Sequence, residues 1–133
     1  MHKAIQRNLL LVLVVVGILA GCSSDRIGDI VATTDQLKGV LKLDPDPPVP
    51  MEPVKLSLTL TDLDGNPING ALVAYDLTMP GMSMPPNTPQ TSNLGSGLYN
   101  ATVILTMAGD WQLDAAVTID GRETPLIFSF STK

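Results

Sequence analysis

From Leu98 to Ile119 the chain alternates apolar and polar residues twice over, a period of two that no helix can use. Tyr99, Ala101, Val103, Leu105 and Met107 share one parity. Beyond the short turn Ala108-Gly109-Asp110, Trp111, Leu113, Ala115, Val117 and Ile119 share another. Successive side chains of a strand point to opposite faces, so each run describes a half-buried strand with Trp111 on its inner face. Val54, Leu56, Leu58 and Leu60 repeat the pattern against Lys55, Ser57, Thr59 and Thr61. Gly39–Leu43 reads as a first strand, Ala71–Leu77 as a third, and Leu126–Ser131, with Phe128 and Phe130 in step, as the last. Asp62-Leu63-Asp64-Gly65-Asn66-Pro67 reads as a hairpin turn with Asp64-Gly65 at its tip, and Asp120-Gly121 as a second hairpin. Four prolines between Asp44 and Pro50 predict an extended connector. With no helical spacing anywhere after residue 38, the pattern predicts an all-β fold, a single antiparallel β-sandwich of six to seven strands.

The first 22 residues follow other rules. His2, Lys3 and Arg7 precede an apolar run from Leu9 to Ala20, which ends in Leu19-Ala20-Gly21-Cys22. A basic start, a short apolar core and small residues before the cut describe a secretory signal, shorter than a stable membrane span. The cysteine at the cleavage point gives the segment its resemblance to a bacterial lipoprotein signal. That resemblance implies that residues 1–21 are removed and that Cys22 carries the lipid, palmitate included, which holds the protein to a membrane. Residues 22–37 are mostly polar and read as a lipidated N-terminus and flexible tether, in which Ile27–Val31 could form a short helix or strand, and residues 38–133 as the domain. The expected location is the extracytoplasmic cell envelope. In a Gram-negative envelope, Ser23 after Cys22 favours the outer membrane, facing the periplasm.

Composition then excludes several functions. Loss of Lys3 and Arg7 with the signal raises the acidic excess from five to seven, which argues against nucleic acid as a partner. The only histidine is His2 and the only cysteine is Cys22. The expected mature chain therefore has neither imidazole nor free thiol, which rules out Ser-His-Asp and Cys-His catalysis and ordinary zinc sites. Asp62–Asn66 lacks the glycine position and closing glutamate of a calcium loop. Gly95-Ser96-Gly97 lacks the context of a nucleophile elbow. The reading is of a protein that is not an enzyme.

The compositional outlier is Thr78-Met79-Pro80-Gly81-Met82-Ser83-Met84-Pro85-Pro86. Methionine normally fills irregular gaps in a core, and Met79, Met82 and Met84 sit in a loop that proline and glycine keep irregular. Thioether sulfur is neutral and polarizable and selects Cu(I) over harder ions. A turn at Pro80-Gly81 would let at least two sulfurs converge. Met107 is a further candidate donor, and Trp111 a candidate cation–π contact. Two other readings stand beside this one: methionines folded back to close the end of the sandwich, and an apolar loop that docks a protein partner. From the residues alone all three remain open.

Four landmarks between Leu56 and Ile119 carry a resemblance: Asp62–Ala71, Met79–Met84, Gly97-Leu98-Tyr99-Asn100-Ala101 and Gly109-Asp110-Trp111-Gln112-Leu113. Their order and spacing resemble the YtkA-like / FixH-like family of small exported domains. The resemblance implies an immunoglobulin-like sandwich and, for some members, a role near copper handling or the assembly of copper-containing respiratory oxidases. With no histidine beside the methionines, the donor set is purely thioether. The sequence thus points to a membrane-anchored Cu(I)-binding or copper-delivery accessory lipoprotein, with a copper-accepting or other envelope protein as partner. Its alternative is a non-catalytic interaction module of the envelope that binds no metal.

Overall fold

The computed structural model describes residues 28–133. They form eight strands: β1 Asp29–Thr33, β2 Leu37–Asp44, β3 Pro53–Asp62, β4 Leu72–Thr78, β5 Ser92–Asn93, β6 Leu98–Ile104, β7 Asp110–Ile119 and β8 Arg122–Ser131. Two antiparallel sheets result, one in the order β1-β2-β3-β6-β5 and the other in the order β4-β7-β8. Setting β1 aside, this is the four-plus-three strand order of a constant-type immunoglobulin sandwich. The expected six to seven strands become eight for two reasons. β1 lies within residues 22–37, read as tether, and its isolated Ile30 and Val31 carry too little periodicity to announce a strand. β5 is only two residues long and borrows its pairing from β6.

The alternation places the core where the period requires. Val54, Leu56, Leu58 and Leu60 of β3 are fully buried, as are Leu113, Ala115 and Val117 of β7. Tyr75, Leu77, Trp111, Leu126 and Phe128 complete the interior between the sheets, and among the described residues no charged side chain is buried. A fully buried large aliphatic or aromatic side chain contributes about 1.5–3 kcal/mol, so this layer carries the fold.

Three connections differ from their sequence reading. The proline segment is no extended connector but the loop of a β2–β3 hairpin, since Asp44 pairs with Lys55. Asp62–Pro67 does reverse the chain, with Thr61 bridged to Pro67. It does not join paired strands, however, because β3 and β4 lie in different sheets. The Asp62 carboxylate accepts the backbone N–H groups of Asp64 and Asn66 and the side-chain amide of Asn66. Those bonds, the Asn66 side chain first, hold its pKa below the ordinary carboxylate value. Ala108–Asp110 likewise crosses between sheets, from β6 to β7. By contrast Asp120-Gly121 is a two-residue hairpin, with φ of 49° and 77° as a type I′ turn needs.

Two tyrosines fasten the β3–β4 crossover. The Tyr99 hydroxyl accepts the Ala71 N–H and donates to the Ile68 carbonyl, both at 3.0 Å. The Tyr75 hydroxyl donates to the Tyr99 carbonyl at 3.0 Å. Burial pushes the Tyr75 phenol well above its ordinary value. The unfolded chain ionises this group near pH 10 and the folded chain does not, so its contribution is complete below about pH 10 and is lost as pH rises further. Denaturant midpoints measured from pH 7 to pH 11 should fall at the alkaline end, and less steeply in Tyr75→Phe. Identical curves for the two proteins would contradict this.

Candidate functional site

Strand direction sorts the loops into two unlike ends. Short, mainly polar turns at 62–67, 94–97 and 120–121, two of which also expose Leu63 and Leu94, lie at one end. The loops at 45–52 and 105–109 and the first part of the β4–β5 connection, 79–86, lie at the other, because Pro53 pairs with Ile104 and Thr78 pairs with Gln112. All five methionines of the described residues, Met51, Met79, Met82, Met84 and Met107, sit in these three loops.

Met79 extends the inward parity of β4 beyond the strand, following Val73, Tyr75 and Leu77. It is 9% exposed and belongs to the core. The chain then turns at Pro80-Gly81. The Met82 N–H donates to the Met79 carbonyl at 3.1 Å, and Gly81 has a φ of 78°, the geometry of a type II turn. This turn brings Met84 back, and its sulfur accepts the Met79 N–H at 3.3 Å. Met84 is partly buried against the core, while Met82 stands 50% exposed.

Met79 also reaches the facing loop. Its methyl carbon lies so close to Gly109 that a Cβ there would sit 2.9 Å away. Gly109 follows Met107 by two residues, so Met79 lies between Met84 and the turn that carries Met107. Met107 itself is 38% exposed and does not share the burial of Leu105, whose parity it continues. Its carbonyl accepts the Trp111 indole N–H at 3.1 Å. Trp111 is 1% exposed. It is a core side chain that fixes the Met107 turn from beneath.

Met51 was not singled out by the sequence. Its N–H donates to the Leu105 carbonyl at 2.8 Å, which ties the proline loop to the loop of Met107, and its side chain is the most exposed of the five. The pairing of β3 with β6 brings these loops together, a long-range fact that no local pattern expresses. Met79 was legible, since the alternation of β4 runs on to it.

Among the described residues no three His, Cys, Asp or Glu side chains gather as a metal-holding group. Asp76 and Asp114 face each other across β4 and β7, and Gln112 donates to Asp114 at 2.8 Å. A groove of about 280 Å³ beside β4, lined by Ala71, Val73, Thr91 and Tyr99 among others, lies toward the polar-turn end and has no methionine in its wall. Cys22 lies outside the described residues.

The family model of YtkA-like domains matches residues 32–116. The chain belongs to the YtkA-like family. The matched segment begins within β1, ends within β7 and takes in all three methionine-bearing loops. No curated protein matches the chain.

Proposed function

We propose that this protein is a non-catalytic accessory lipoprotein of the cell envelope that binds Cu(I) through its methionine loops and passes it to a partner protein. The observation that carries the reading is the turn at Pro80-Gly81. It sets the Met84 sulfur 3.3 Å from the Met79 nitrogen and leaves the Met79 methyl against the turn of Met107. Met79 and Met84 thus meet at one turn, beside the loop that carries Met107, and neutral, polarizable thioether sulfur favours a soft monovalent ion. Met82, half exposed on the same turn, is placed to take up the ion from solution or from a partner. Asp44, Asp46, Glu52 and Asp110 surround this end and raise the local concentration of cations without supplying soft donors. Cys22, with the signal-like segment before it, supplies the lipid anchor in this reading, and the outer membrane facing the periplasm is the location in a Gram-negative host.

The exposure of Met82 also suits the second reading, a loop that docks a protein without metal. Methionine-methyl NMR separates the two. Under anaerobic, reducing conditions, Cu(I) should shift the methyl resonances of Met79, Met84 and Met107 saturably. The Met79 amide should shift as well, because its sulfur acceptor is recruited by the ion. A spectrum unchanged by Cu(I) would leave the docking reading in its place.

A further inference from the structure

We propose that the methionine-bearing end of the sandwich faces the membrane and rests its apolar loop tips on the lipid surface. This rests on the reading of Cys22 as the lipid-bearing residue and is independent of copper. The argument begins with where the chain enters the fold. Asp29, the first residue of β1, pairs with Lys42 near the end of β2, and their side chains form an ion pair at 3.8 Å. Gly28 packs so closely against the Asp46 carboxylate that a Cβ there would collide with it. The chain therefore enters beside the proline loop, at the methionine end.

Six residue steps separate Cys22 from Gly28. Whatever its conformation, a chain of that length spans at most about 20 Å, at roughly 3.3–3.6 Å per residue. The ten-residue strands β7 and β8 run about 33 Å from one end of the sandwich to the other. A lipid on Cys22 thus lets the domain stand on its methionine end, but its tether is too short for the domain to stand inverted on its polar-turn end. The membrane-facing end presents Val49, Met51, Met82, Ile104 and Met107, each at least 36% exposed. Apolar side chains on separate loop tips can enter the headgroup boundary without unfolding any strand. At the same end Asp44, Asp46, Glu52 and Asp110 outnumber Lys55 and Lys133, so a zwitterionic surface is the fitting one, because an anionic surface would repel the acidic excess.

The test uses the full lipidated chain in phosphatidylcholine vesicles containing headgroup spin-labelled lipid. With the Cys22 thiol consumed by its lipid, Val49→Cys and Leu94→Cys each offer one thiol for a fluorophore, at opposite ends. Quenching at position 49 should exceed that at position 94 several-fold, and phosphatidylglycerol in the vesicles should weaken it. Equal quenching at the two positions, or none at either, overturns the orientation if mass spectrometry shows the acyl chains in place. Label at position 49 that is shielded from aqueous quencher but untouched by lipid also overturns it, in favour of a second copy or a protein on that end. A wild-type chain whose Cys22 remains a free thiol removes the anchor reading itself, and the proposal with it.

Discussion

Trp111→Ala is expected to destabilise the domain by about 3–5 kcal/mol, the usual loss for a buried aromatic truncated to alanine. The ring is 1% exposed and shares the inner face of β7 with Leu113, Ala115 and Val117. Its removal leaves a cavity between the sheets and strips the Met107 carbonyl of its indole donor. Small domains have only about 5–15 kcal/mol of stability in total, so the variant should lie near the limit of folding. Thermal denaturation reads the effect directly, at about 4–8 °C for each kcal/mol in a domain of this size. A change of less than about 1 kcal/mol would show that the ring is not a core element. Trp111→Phe separates the two contributions, because it keeps most of the packing and removes the N–H.

Replacing Met79, Met82 and Met84 together by leucine should reduce Cu(I) affinity by at least two orders of magnitude, about 2.8 kcal/mol. The fold should survive. Leucine and methionine are close in volume, and such swaps usually cost less than about 1.5 kcal/mol. Position by position the consequences differ. Met79 lies in the core, where leucine refills most of the space. Met82 is half exposed and its bulk contributes little. Met84 is the sensitive one, because its sulfur accepts the Met79 N–H and leucine leaves that amide without a partner. Equilibrium unfolding of the three single variants should therefore rank Met84→Leu as the most destabilising. A different order would mean that the sulfur contact does not support the turn.

The strands of the core were legible because their information is local. Period-two alternation named the inward residues of β3, β6 and β7, and Asp120-Gly121 named its hairpin. The partners of those strands were less legible. Nothing in Asp62–Pro67 distinguishes a hairpin tip from a reversal followed by a crossover, since Asp62 organises the same turn in either case. The proline segment showed that it could not be a strand, but only the pairing of Asp44 with Lys55 makes it a hairpin loop. At the site, Pro80-Gly81 announced its turn correctly. The burial of Met79 could have been read by carrying the β4 alternation one step further. The placing of Met51 beside the Met107 loop could not, because it depends on β3 meeting β6 across about fifty residues of chain.

Competition for the ion tests most directly whether the methionine end holds Cu(I). The full chain is titrated anaerobically, under reducing conditions, into a weak chromophoric Cu(I) complex, with the triple leucine variant alongside. The wild-type chain should withdraw about one equivalent of Cu(I) through its soft thioether donors, while the variant should leave the chromophore unchanged. A wild-type chain that withdraws none, or a triple variant that withdraws as much, would contradict it.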